Sequence, residues 1–156
     1  MRLIATLLLI ATVAFAQQKG ANPMKLFASS AEIAGMIEKA KKERRPDQPM
    51  LAQRIVSLAP YNASLEYRAM VAPASQHDTE AEMFYVIEGS GTLVTGGKLT
   101  KETRTNAENA SGEGIEGGMT QQVAKGDFIM VPEKTPHWFS KIDGTLVLMS
   151  IHLPKK

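Results

Sequence analysis

The sequence predicts an all-β domain, a sandwich or barrel, preceded by one short N-terminal α-helix. Three observations carry that reading. From Met50 onward, short runs rich in apolar and β-branched residues recur, with Gly and Pro between them. That is the pattern of many short strands folded back on one another. Upstream, Ser29-Ser30-Ala31-Glu32 is a capping-box signature, and Ile33, Met36, Ile37 and Ala40 follow at helical spacing. No internal repeat divides the 156 residues, so the chain is one domain with an N-terminal extension.

Met1 to Ala16 reads as a secretory signal peptide. Arg2 is the positive end, and Leu3 to Val13 is an apolar core too short to span a bilayer comfortably. Ala14-Phe15-Ala16 is a small-x-small cleavage site, so cleavage is expected after Ala16. The expected division is a signal peptide over 1–16, an arm and helix over 17–49, and the β domain over 50–156. The expected location is therefore exported, periplasmic or extracellular, with no membrane span in the mature chain. The helix is predicted over about 30–44, with Ser29 as cap, Lys and Arg in its last turn and Pro46 as its stop.

Leu51 to Ala59 is a strand ending at Pro60. Leu65, Tyr67, Ala69 and Val71 alternate with Glu66, Arg68 and Met70 as a half-buried strand that Pro73 stops. Met83 to Glu88 is a strand, and Gly89-Ser90-Gly91 reads as a hairpin turn into Thr92–Thr95. Gly96-Gly97 turns into Lys98-Leu99. Strands are also predicted over 119–124, 128–131, 137–142 and 145–153, the last two split by a turn at Asp143-Gly144. Thr100 to Gly118 is polar and glycine-rich, with Ile115 its only bulky apolar residue. It reads as a long loop, either a plain excursion or a lid touching a ligand.

Composition narrows the function. The formal charge is +2, and the densest basic run, Lys39 to Arg45, ends the predicted helix and reads as a solvated helix end. One Trp and three Tyr, not interleaved with basic residues, make no stacking platform for bases, so no nucleic-acid partner is expected. The absence of cysteine excludes disulfides, thiol nucleophiles, zinc–thiolate sites and iron–sulfur clusters. A metal would have to be held by His, carboxylate, amide or water.

Only three histidines occur: His77, His137 and His152. Glu82 stands five residues after His77 at the start of a strand. If its side chain points inward, those of Phe84 and Val86 do too, while Met83, Tyr85 and Ile87 point out. His137 follows Pro136 into another strand and shares a face with Phe139. Two histidines and one carboxylate with open positions form the pattern of non-haem metal sites. A pair of histidines in an all-β chain also arises without a metal, so spacing alone leaves both readings open. His152 lies on the parity of Leu146, Leu148 and Ser150 and reads as a solvent-facing or hydrogen-bonded histidine near a strand end.

The motifs resemble those of the cupin family. Counting back from Gly89, six residues lead to Glu82 and four more to His77, which takes the second histidine place of the family's first motif. Gly126, Pro132 and His137 stand at the spacing of the second motif. The sequence departs from the family at three places: Ser75 occupies the first histidine place, Lys134 a glycine place and Lys141 the terminal asparagine place. The resemblance covers about residues 50–153.

The resemblance implies a double-stranded β-helix, a jelly-roll-like barrel, with His77, Glu82 and His137 holding a divalent transition metal (Fe, Mn, Zn, Ni or Cu) inside it. Gln76 or Glu80 is a candidate fourth group. The implied chemistry is of dioxygenase, isomerase or lyase type on a small organic molecule, with Glu80 or Tyr67 as candidate base. The alternative is a non-catalytic module that binds a small ligand or a metal. Arg54, Tyr67, Arg68 and Tyr85 are candidate ligand contacts. The resemblance also implies a homodimer.

Overall fold

A computed structural model describes residues 24–155. The signal-peptide reading at 1–16 and the first part of the 17–49 arm lie outside the described residues.

Helix α1 runs Ser30–Glu43. It begins where the capping box predicts: the Ser29 hydroxyl accepts from the Glu32 amide at 3.1 Å. Glu32 does not close the box and pairs instead with Lys25. The last turn carries Lys41 and Lys42, and Arg44 caps it outside the helical region. Ile37 and Ala40 are the buried residues of α1, and they pack against the first two strands.

Eleven strands follow among the described residues: β1 Met50–Leu58, β2 Tyr61–Arg68, β3 Ala74–His77, β4 Glu80–Thr95, β5 Lys98–Thr100, β6 Thr103–Arg104, β7 Asn109–Gly112, β8 Gly114–Glu116, β9 Met119–Ala124, β10 Phe128–Val131 and β11 His137–Pro154. The sheet runs β1-β2-β11-β3-β7-β6, and β4 pairs with β9, β10 and β11. All pairings are antiparallel. The all-β architecture with one N-terminal helix is the one the strand spacing predicts.

Two predicted turns are not turns. Gly89-Ser90-Gly91 and Asp143-Gly144 lie inside long continuous strands, β4 and β11, which pair with each other along almost their whole length. The register between them shifts from Ile142 to Leu146, so the two strands bend together at their glycines. Gly89 has φ +84°, and a Cβ there would stand 1.9 Å from the Thr145 carbonyl oxygen. Glycine is required at this position by close backbone approach, and it does not mark a chain reversal.

Thr100–Gly118 is likewise not a structureless excursion. It supplies β6, β7 and β8, and β7 pairs with β3 from Ala74↔Gly112 to His77↔Asn109. Strands of two to four residues, Thr-Arg in β6, Asn-Ala-Ser-Gly in β7 and Gly-Ile-Glu in β8, are too short and polar to carry a hydrophobic period of their own. Their pairing is dictated by the strand they lie beside.

Strand parity divides the molecule into two apolar clusters. Phe84, Val86, Leu93, Val123, Val131, Phe139, Leu146 and Leu148 fill the barrel. Ile37, Ala40, Ile55, Leu65, Tyr67 and Val147 form a second cluster beneath α1. In β2, Ala63, Leu65 and Tyr67 are buried, and Leu65 and Tyr67 face the helix. Asn62, Ser64, Glu66 and Arg68 then take the opposite face. They are the register partners of His152, Ser150, Leu148 and Leu146 on β11. Glu66 and Arg68 pair beside the hydrocarbon cluster, with Arg68 over the Phe139 ring, while Glu82, Ser150 and His152 gather into a polar end of the barrel.

Candidate metal centre

Glu82 is the centre of the polar end. It sits at the start of β4 on the inward parity, 4% exposed, with the fully buried Phe84 and Val86 next along the same face. Strand β3 delivers His77, and β11 begins with His137, the register partner of Ser75 and Thr95. The two motif stretches are also tied by backbone, since the Lys134 amide donates to the His77 carbonyl at 2.7 Å. Lys134, which stands where the family has glycine, keeps a left-handed conformation with φ 59°.

His77 Nε2 lies 3.2 Å and His137 Nε2 3.0 Å from Glu82 Oε2. The structure adds a residue that the sequence reading left outside. His152 is the register partner of Glu82 on the neighbouring strand, and its Nε2 lies 3.4 Å from Glu82 Oε1. The ligand atoms of His77, Glu82 and His152 all lie within 4.8 Å of one another, and His137 joins them through Glu82. The signal for His152 was its parity with Leu146, Leu148 and Ser150, all of which are fully or nearly fully buried.

The other nitrogen of each ring is engaged by an oxygen. His77 Nδ1 meets Asn109 Oδ1 at 2.5 Å. The Asn109 amide nitrogen donates to Asn106 Oδ1, which also accepts from the Glu108 backbone amide. The backbone donor fixes the Asn106 oxygen as acceptor, so the Asn109 oxygen faces His77, and His77 Nδ1 carries a proton. His137 Nδ1 meets the Thr135 carbonyl at 3.2 Å. His152 Nδ1 meets Glu80 Oε2 at 2.6 Å. All three acceptors require the proton on Nδ1, and all three Nε2 atoms then point their remaining valence at one carboxylate.

The buried Ser150 hydroxyl donates to Glu82 Oε1 at 2.6 Å. Burial alone would raise the Glu82 pKa. Hydrogen bonds from His137, His77 and Ser150, with the charge on His137, overcome burial and hold the carboxyl far below its ordinary 4.5. Burial would lower the His77 pKa, but hydrogen bonds with Glu82 and Asn109, and the charges of Glu82 and Glu80, outweigh it. The pKa of His77 stands above 6.5.

The donor set fits a divalent transition metal. Donors about 2.1 Å from one ion stand about 3.0 Å apart at a right angle and about 3.4 Å apart at the tetrahedral angle. The Nε2 atoms stand at such distances from the Glu82 oxygens, 3.2 and 3.0 Å from Oε2 for His77 and His137 and 3.4 Å from Oε1 for His152, and His77, Glu82 and His152 offer ligand atoms within 4.8 Å of one another. With Nδ1 held by oxygen, each imidazole that gives up its Nε2 proton presents Nε2 as a metal ligand.

Other candidate contacts fall elsewhere, for reasons of parity and pairing. Tyr67 is buried beneath α1 in the helix-side cluster, so it is neither a ligand contact nor a base. Tyr85 is on the outer face beside Phe128, with ring centroids 6.0 Å apart. Arg54 is exposed on β1. Arg68 faces inward but is bound to Glu66 at 2.7 and 2.9 Å and stacks 4.8 Å over the Phe139 ring. Gln76 adjoins His77 on β3 and so takes the other face of the strand, where it donates to Asp78 at 2.9 Å. A groove of about 500 Å³ lies on the outer β9–β10 surface, lined by residues such as Met119, Phe128 and Met130. None of the three histidines lines it.

The cupin sequence profile matches residues 45–152. The chain belongs to the cupin family. Solved structures share its fold at low identity. Iron(II) HppE in complex with substrate aligns with TM-score 0.52 and 14% identity over 70% of this chain and 53% of its own. This cupin therefore spans about half of HppE. The cupin domain of Schizosaccharomyces pombe Cnp3 aligns with TM-score 0.51 and 14% identity over 72% of this chain and 70% of its own. A cupin superfamily protein from Desulfitobacterium hafniense DCB-2 gives TM-score 0.50 and 15% identity over 72% and 84%. No curated protein sequence matches this cupin.

Proposed function

We propose that this cupin is exported, holds one divalent transition metal through His77, Glu82 and His137, and acts on a small organic molecule by dioxygenase, isomerase or lyase chemistry. The observation that carries the reading is the set of imidazoles with Nδ1 held by oxygen and Nε2 turned on Glu82. The HppE structure, with iron(II) and a substrate in the same fold, supports it.

A bound divalent ion supplies Lewis acidity and open coordination positions for a small ligand. The protein supplies orientation. Asn109 and the Thr135 carbonyl fix two imidazole rings, and Ser150 fixes the carboxylate. The Phe84 ring, 6.0 Å from that of His137, walls the site off from the hydrocarbon end. Beside the His77–Glu80 turn is a depression of about 500 Å³ lined by Asp78, Thr79, Lys134 and Lys155. Charged and hydroxyl walls of this kind suit a small polar molecule.

One observation favours a non-catalytic module instead. Both carboxylates of the site, Glu80 and Glu82, are already engaged by histidines, leaving neither free as a general base. Oxygen uptake and substrate consumption over a panel of small acids, sugars and aromatics separate the two. Turnover by the wild type that Glu82→Ala abolishes supports the enzyme. Metal bound without turnover on any member of the panel selects the binding module.

Export rests on the apolar run at 3–13 and the Ala14-Phe15-Ala16 site. Among the described residues no helix is long and apolar enough to cross a membrane. The proposal includes a homodimer, because the outer β9–β10 face exposes Met119, Phe128 and Met130 at 61%, 62% and 54%.

A further inference from the structure

We infer that His152, from the end of the last strand, is a third histidine ligand of the metal, positioned by Glu80. The inference rests on the reading of the site as a metal centre and names a ligand that neither cupin motif contains.

The geometry comes from β4 and β11 alone. Glu82 and His152 are register partners, and so are Glu80 and Pro154 two residues along. Residues directly opposite in an antiparallel pair project to the same side, so β11 hands His152 to Glu82 from the neighbouring strand. The His152 ring stands edge-on to His77 with centroids 5.1 Å apart, closer than the 5.3 Å between His77 and His137. His77, Glu82 and His152 each offer a ligand atom within 4.8 Å of the other two, and the His152 atom nearest Glu82 is Nε2.

The ring orientation agrees. Glu80 Oε2 holds Nδ1 at 2.6 Å, which puts the proton on Nδ1 and leaves Nε2 to face the Glu82 carboxylate. A carboxylate behind a histidine is the arrangement that fixes the tautomer and raises the basicity of a ligating imidazole. With Nδ1 on Glu80, the ring places its second nitrogen 3.4 Å from Glu82. With Ser75 at the first histidine place of the motif, His152 brings the set to three imidazoles and one carboxylate from a different strand.

The chain has only three histidines, so each can be followed by name. Long-range proton–nitrogen NMR of untagged, ¹⁵N-labelled protein during titration with Zn(II) reads the Nε2 and Nδ1 of every ring. The expected result is that all three Nε2 resonances move together, complete at one equivalent, while all three Nδ1 keep the protonated signature. Movement of His77 and His137 alone overturns the inference and leaves the metal centre standing. Movement of none removes the metal centre, and the inference with it.

Chelator competition gives a second measure. His152→Gln should weaken Zn(II) binding by at least about 10-fold, the lower end of what loss of an outer-shell partner costs. Glu80→Gln, which keeps an oxygen acceptor, should bind more tightly than Glu80→Ala, and both more weakly than wild type. Equal affinity across wild type, His152→Gln and Glu80→Ala contradicts the assignment.

Discussion

Ser150→Ala tests how the carboxylate is held. Ser150 is 1% exposed and its hydroxyl donates to Glu82 Oε1 at 2.6 Å, within the range of a charge-assisted O–H···O⁻ bond. Loss of the hydroxyl removes almost no volume, so no cavity term enters, and the strand keeps its partners Phe84 and Ser64. What is lost is one hydrogen bond to a buried charge, worth about 1.5–3 kcal/mol. Oε1 is then left with only His152 Nε2 at 3.4 Å. Urea denaturation of the metal-free protein should show that loss as a lower midpoint with an unchanged slope. Zn(II) affinity should fall by about 10–100-fold, as it does when an outer-shell partner is removed. Ser140→Ala is the control, because its hydroxyl makes only a 3.4 Å contact to the Thr92 carbonyl. It should stay within about 0.5 kcal/mol of wild type. If Ser150→Ala matches this control in both stability and affinity, Ser150 does not position Glu82 and the reasoning fails.

Stability of the metal-free protein should be greatest between the ordinary pKa values of Glu82 and His77, 4.5 and 6.5. The depressed Glu82 contributes fully above about 4.5 and loses its contribution as pH falls below it. The raised His77 contributes fully below about 6.5 and loses its contribution as pH climbs through its folded value. Metal affinity should rise with pH over that upper window, since the proton on His77 must leave, so thermal midpoints with and without Zn(II) should diverge upward. A metal-free midpoint that rises steadily through neutrality would contradict this. Gly89→Ala should cost about 3 kcal/mol or more, combining left-handed strain with a backbone clash. Gly144→Ala, with φ +77° and open space around its Cβ, should cost only about 1–2 kcal/mol. Equal midpoints for the two variants would refute the close approach at Gly89. Light scattering should find the wild type dimeric, with Phe128→Lys and Met130→Glu together shifting it to monomer. A monomeric wild type at micromolar concentration removes the dimer.

What the sequence disclosed divides along physical lines. Period-two alternation and capping chemistry are local, so α1, β1, β9 and β10 are legible within a residue or two, whereas the strand read over Leu65–Val71 has the right parity but runs Tyr61–Arg68. The family's motif spacing names His77, Glu82 and His137 together, and the two Nε2 atoms lie 3.2 and 3.0 Å from Glu82 Oε2. Three features were hidden. Gly89 and Gly144 serve close approach and bending within long strands, and a glycine required for that looks the same in sequence as one in a hairpin. β6, β7 and β8 have no hydrophobic period, and only their neighbours define them, so Asn109 went unnoticed as the residue that holds His77. His152 had the right parity, but its partnership with Glu82 depends on the register between β4 and β11, which spans 70 residues of sequence. A register shift at Ile142–Leu146 stands between the two motifs' pairings, so counting from His137 would misplace it.

In the proposed centre, imidazoles held at Nδ1 converge on Glu82 to bind one metal ion. Elemental analysis of untagged protein purified without added metal tests it most directly. Close to one divalent transition metal ion per chain is expected in the wild type, and only traces in Glu82→Ala. Far less than one ion per chain, unchanged after incubation with iron, manganese, zinc, nickel or copper and indistinguishable from Glu82→Ala, would contradict it.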